Sequence, residues 1–175
     1  MKGRFPMKKL LVLLCALTLM TVSPASAQTD YTACCGATPV LTVHYDGGQF
    51  HLDTESYLGS SRGGHTWLGL FYNDSCSIDL SADRYADLPA GCSLEQMSDY
   101  LCQAMRPDQC AVLETWREGS VPFVIFSLNG PSGSSYLAAT LSQGYVVHFE
   151  IFCPRGGVNA DTLNTLKGLL RSVTF

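Results

Sequence analysis

The stretch VPFVIFSLNGPSGSSYLAATLSQGYVVHFEIF, Val121–Phe152, decides the fold. Val121 to Leu128 is an apolar run of strand length, and Pro122 suits a strand start or an edge. Asn129-Gly130-Pro131-Ser132-Gly133 is a strong turn signal. Tyr136 to Leu141 and Tyr145 to Phe152 are two further apolar runs, joined by Ser142-Gln143-Gly144. Short apolar runs bounded by turn residues read as strands, and strands joined by tight turns are antiparallel.

The same reading extends in both directions. Ala111 to Trp116 alternates and pairs with Val121 to Leu128 through Glu118-Gly119-Ser120. Ahead of it, Ser93 and Gln96 form a capping box, and Leu94, Met97, Leu101, Ala104 and Met105 repeat at helical spacing. That helix stops before Pro107. Trp67 to Tyr72 and Cys76 to Leu80 form a hairpin about Asn73-Asp74-Ser75. Leu41 to Tyr45 and Phe50 to Thr54 alternate on either side of Asp46-Gly47-Gly48-Gln49, which reads as a hairpin turn. At the other end, Asn159 or Asp161 caps a last helix with Leu163, Leu166, Leu169 and Leu170 on one face. The expected class is α+β: a single twisted antiparallel sheet of about six to eight strands, two helices packed on it, stapled by disulfides.

The N-terminus has the three parts of a secretory signal. Lys2, Arg4, Lys8 and Lys9 precede an uncharged apolar run from Leu10 to Val22. Small residues follow, ending at Ala27. The run is shorter than the about 20 residues that a spanning helix needs. Residues 1–27 are therefore expected to be a cleaved signal peptide, 28–39 an irregular leader and 40–175 one domain, secreted, periplasmic or at the cell surface. Beyond Ala27 there are seven basic residues against 15 acidic ones, a net charge of −8. Nucleic-acid binding needs a basic face to neutralise phosphates, and this composition excludes one.

Seven cysteines follow the signal: Cys34, Cys35, Cys76, Cys92, Cys102, Cys110 and Cys153. In an exported chain they read as disulfide candidates. The paired C-x-x-C spacings of a zinc site are missing. Cys92 to Cys102 would span a helix of roughly 15 Å, beyond a disulfide's reach. Cys102 to Cys110 is a short clip and the best single pairing; sequence leaves the others open.

The opening Leu-Pro-Ala-Gly-Cys-Ser-Leu-Glu-Gln-Met of the first helix and the closing Leu-Leu-Arg-Ser-Val-Thr-Phe175, set in this order of elements, resemble the PsbP-like α/β/α sandwich. That group includes the photosystem II extrinsic subunit, the small Ran-release factor and many exported bacterial proteins. The likeness spans Val40 to Phe175. A Pro-x-x-Trp segment, frequent after the first hairpin of such proteins, is absent, and the cysteines are not a feature of the group. The resemblance implies a fold and a tendency to bind partners, and carries no catalytic residues across.

Two stretches bear on chemistry. If Asp46–Gln49 closes a hairpin, His44 and His51 share a face with Asp46 and Asp53, with Cβ atoms about 5 Å apart when directly opposite. Two imidazoles and a carboxylate could hold a divalent transition metal; a solvated polar face accounts for the same residues. Gly59-Ser60-Ser61-Arg62-Gly63 matches G-x-S-x-G, yet it lies between strands rather than on a strand-to-helix turn and reads as a loop. His65 and His148 read as structural. The expected function is that of an exported non-enzymatic binding or accessory domain without a cofactor, its partner a protein or small ligand. The alternative is an extracytoplasmic metal-binding protein or hydrolase using the His44/His51 face or the 57–65 loop.

Overall fold

The computed structural model describes residues 27–56, 63–89, 91–105, 109–130, 133–154 and 157–175. The signal segment and the Gly59–Gly63 motif up to residue 62 lie outside these described residues. Among the described residues, ten strands and two helices occur, in the order β1 (Gln28–Cys35), β2 (Thr38–Asp46), β3 (His51–Asp53), β4 (His65–Tyr72), β5 (Ser77–Asp83), α1 (Leu94–Ala104), β6 (Cys110–Trp116), β7 (Phe123–Gly130), β8 (Gly133–Ser142), β9 (Tyr145–Phe152), α2 (Ala160–Leu170) and β10 (Val173–Thr174).

The meander read from Val121–Phe152 is present. The large sheet runs β3-β4-β5-β9-β8-β7-β6, with antiparallel partners throughout. Both helices begin where their caps require. Ser93 Oγ accepts from the Gln96 backbone N–H at 3.1 Å and Gln96 Oε1 accepts from the Ser93 N–H at 2.8 Å. Asn159 Oδ1 accepts from the N–H groups of Asp161 and Thr162.

Three expectations are corrected. First, there are two sheets, the second being β1-β2-β10. Second, residues 28–35 are a full strand rather than an irregular leader. Tyr31, Ala33 and Cys35 point inward and alternate with outward Asp30, Thr32 and Cys34. The hairpin turn falls at Gly36-Ala37, where Gly36 takes φ +63, a conformation glycine adopts without steric cost. Third, β2 and β3 do not pair. β1 and β10 occupy both edges of β2, so the chain after Asp46 leaves that sheet. Asp46 O accepts from the N–H groups of Gln49 and Phe50, and Asp46 Oδ1 from Gly48 N–H at 2.8 Å. This tight turn delivers Phe50 to the core and β3 to the edge of the large sheet, against β4.

Parity then builds the layers. On one face of the large sheet, Phe71, Ile78, Leu80, Ala82, Phe123, Ile125, Val147, Phe149 and Ile151 pack against Ala33, Leu41, Val43 and Val173 of the small sheet and Leu166, Leu169 and Leu170 of α2. On the other face, Met97 and Leu101 of α1 pack on Val124, Phe126, Leu137, Ala139 and Val146. Lys167 Nζ, 2.5 Å from Glu114 Oε1, and Arg171, 2.7 Å from Glu118, tie α2 to β6 and the turn after it. The seven cysteines are free thiols here, so the expected staples are not part of this structure. Two apolar clusters close the fold instead, as a chain of this length permits.

Candidate functional site

The proposed metal set is dispersed. His44 lies on β2 opposite Asp30, its Nδ1 2.7 Å from Asp30 Oδ1 and its Nε2 3.1 Å from Thr174 Oγ1. His51 is on β3 of the other sheet, opposite Tyr72, with ring centroids 5.5 Å apart. Asp46 is used by its own turn. Asp53 accepts from the N–H groups of Glu55 and Ser56 and from the Ser56 hydroxyl, and these bonds, led by the hydroxyl, hold its carboxyl below the usual range. Among the described residues no three His, Cys, Asp or Glu side chains gather to hold a metal ion.

A different constellation forms on the α1 face of the large sheet. β5 alternates apolar residues into the core with Asp79, Ser81 and Asp83 on the opposite side. β9 does the same with His148 and Glu150. The β5–β9 register sets Asp79 opposite Glu150 and Ser81 opposite His148. β4 contributes His65, opposite Asp83, and Trp67, opposite Ser81. A bulge between Trp67 and Gly69 brings Leu70 opposite Asp79, so Trp67 and Leu70 share this face.

Asp83 sits between two imidazoles. Its Oδ1 is 2.9 Å from His65 Nδ1 and its Oδ2 is 3.1 Å from buried His148 Nε2. The second contact is too poorly aligned for a hydrogen bond and acts as an electrostatic pairing. Burial pushes the Asp83 carboxyl up, but the pull of His148 and then His65 outweighs it, and the net displacement is downward. Tyr85 O–H reaches Asp83 Oδ2 at 3.4 Å. Burial, with Asp83 adding to it, pushes the Tyr85 phenol upward.

The neighbouring carboxylates behave oppositely. Asp79 accepts from the Trp67 indole N–H at 2.9 Å, and Glu150 accepts from Ser135 Oγ at 2.6 Å. Burial raises both; at Glu150 the Ser135 hydrogen bond opposes the rise and the charge of Asp79 adds to it. Glu150 also lines a hollow of about 320 Å³ with Met105, Leu128, Ser135 and Phe152. Tyr72 and Phe152, each 41% exposed, lie on either side of Ser77 at one end of the row. α1 makes its main sheet contacts with β6, β7 and β8 and reaches β9 at Val146; the polar row continues beyond it along β9 and onto β5 and β4.

Sequence reading named His65 and His148 but set them aside as structural, and it missed Asp79, Asp83 and Glu150. A usable signal was there: polar residues at every second position of two otherwise apolar strands. The pairing of β5 with β9 was not visible, because the two strands are far apart in the chain.

The architecture defines a class: an antiparallel sheet with a helix on one face, and a helix with a small sheet on the other. The solved structures then supply the particular likeness, which is to PsbP. The solution structure of cyanobacterial PsbP (CyanoP) from Synechocystis sp. PCC 6803 matches with a TM-score of 0.50 and 13% identity, over 87% of this chain and 95% of that one. The fold is thus PsbP-like, as the order of elements and the closing helix pattern implied. No protein-family profile and no curated protein sequence matches the chain. Among the described residues, no helix is long and apolar enough to cross a membrane.

Proposed function

We propose that this chain is an exported accessory domain that acts by binding, and that its binding surface is the polar half of the large sheet beside α1. One observation carries the reading. The face that α1 covers over β6–β8 continues onto β9, β5 and β4 as a row of carboxylates and imidazoles that ends at two exposed aromatic rings, Tyr72 and Phe152. Hydrogen-bond acceptors with Tyr72 and Phe152 at one end suit a protein partner that presents Arg or Lys side chains. The acidic balance of the chain favours the same partner. The basic, apolar N-terminus and the cysteine content support export, with Cys102 and Cys110 as the clip formed there. Burial, and then the Cys102 thiol beside it, pushes the Cys110 thiol up to about 11, which fits two neighbouring sulfurs.

The test is site-specific photo-cross-linking in cells that make the protein. A photo-reactive phenylalanine in place of Tyr72 or Phe152 is expected to give an adduct of defined mass. The same group at Thr32, on the outer side of the small sheet, is expected to give none. Equal adducts at all three positions, or none at 72 and 152, would reject the assignment.

A further inference from the structure

We propose that Cys76 and Cys153 form a disulfide that fastens the end of the β5–β9 pair next to α2. The assignment concerns the core side of the sheet, away from the binding face, and does not depend on it.

Register comes first. The last recorded β5–β9 partners are Ser77 and Phe152, so one further step sets Cys76 opposite Cys153. Directly opposed residues of an antiparallel pair have Cα atoms about 4.5 or 5.5 Å apart, inside the roughly 4.4–6.8 Å that a disulfide accepts. Parity comes second. Ile78 and Leu80 on β5, and Phe149 and Ile151 on β9, face the main core. Cys76 and Cys153 continue those two series and belong to the same cluster, Cys76 buried and Cys153 packed against it. Third, both side chains line one hollow of about 530 Å³, together with Asn159, Asp161 and Thr162 at the start of α2.

Each sulfur is also held in place. Asn73 Oδ1 accepts from the N–H groups of Ser75 and Cys76, and Cys76 O accepts from Asn73 N–H, so the β4–β5 turn fixes Cys76. The Cys76 thiol points to Asn73 Oδ1 at 3.6 Å and the Cys153 sulfur lies 3.4 Å from Thr162 Oγ1. Both are weak contacts that bridging would release. Burial and then the nearby Cys153 thiol push the Cys76 thiol upward, a further sign that the two sulfurs are neighbours.

The chemistry is thiol–disulfide exchange with a small-molecule disulfide such as glutathione disulfide. One cysteine thiolate attacks a sulfur of the oxidant and forms a mixed disulfide, expelling one glutathione thiolate. The second cysteine thiolate displaces the other. The two cysteines lose two protons and two electrons, and the oxidant gains them as two glutathione thiols. Cys76 is only 6% exposed, so this exchange belongs to folding, before the core closes.

The full chain is to be refolded from denaturant in a glutathione/glutathione disulfide buffer, quenched by alkylation and digested without reduction. A linked peptide pair containing Cys76 and Cys153 is expected. Alkylated Cys76, or Cys76 joined to any other cysteine, would overturn the proposal. The oxidised chain is further expected to melt about 10 °C above the same chain refolded with a thiol reductant and alkylated, from the closure of a long loop. Cys153→Ala refolded with oxidant should fall toward that lower temperature. Oxidised and reduced chains melting together would overturn the fastening role even where Cys153→Ala fails to fold.

Discussion

Glu150→Gln tests whether the half-buried carboxylates of the polar face are held there against their own electrostatics. Glu150 faces Asp79 across the β5–β9 pair and shares its hollow with Met105, Leu128 and Phe152. Its carboxyl is raised chiefly by burial. Glutamine keeps the length of the side chain and an oxygen for the Ser135 hydroxyl, and removes only the charge. Partial burial and the like charge of Asp79 directly across the strand pair both oppose the ionised form, and water at a partly solvated site screens part of each. The substitution should therefore stabilise the protein by about 0.2–1 kcal/mol at pH 7, or about 1–4 °C in Tm. The sign follows from linkage. A carboxyl whose folded pKa lies above its unfolded value of about 4.3 contributes stability below that value and loses it as pH rises through the folded pKa. Wild type and variant should thus differ at pH 7 and converge near pH 4. Thermal melts between pH 4 and 8 measure this. A variant less stable than wild type at pH 7, or an offset constant across that range, would refute the account of the site.

Asp83→Asn should act in the opposite sense. It removes the anion between His65 and His148 and should cost about 1.5–3 kcal/mol at pH 7 in urea unfolding. Because the Asp83 carboxyl is depressed, its contribution is present above about pH 3.9 and lost as pH falls through the folded pKa, so the deficit should shrink in acid. Gly64→Ala should destabilise by about 1–3 kcal/mol in the same assay, since Gly64 has φ +94 and an added Cβ would lie 2.9 Å from the Arg84 carbonyl oxygen. Trp116→Ala should remove about 3–5 kcal/mol, because the ring is 2% exposed and packs on Phe123.

How much was legible depended on the range of the interactions. The β6–β9 meander was readable because each strand pairs with its chain neighbour, and its turn residues lie between the apolar runs. The helix starts were readable because Ser93 with Gln96, and Asn159 with its own first turn, satisfy local backbone donors. Gln28–Cys35 was not, because its outward Asp30 and Thr32 lower its hydropathy while Tyr31 and Ala33 enter the core. That missed strand had a further consequence. With β1 on one edge of β2 and β10 on the other, no edge remains for β3, so His44 and His51 part company and the metal arrangement loses its geometric basis.

The β5–β9 pairing explains both the polar site and the cysteine neighbours. Among the described residues it is the one long-range seam inside the large sheet, joining the β4–β5 hairpin to the later meander. On the α1 side the seam aligns Asp79 with Glu150 and Ser81 with His148, next to Asp83. On the core side it aligns Leu80 with Phe149 and Ile78 with Ile151, and Cys76 and Cys153 each follow one residue beyond its end pair, Ser77 with Phe152. A polar row in the middle of a sheet weakens that seam on one face, since buried carboxylates are disfavoured in their charged form. The opposite face offsets this with fully buried aliphatic and aromatic pairs. A seam assembled from distant segments, polar on one side and apolar on the other, is where a covalent fastening would have its greatest effect.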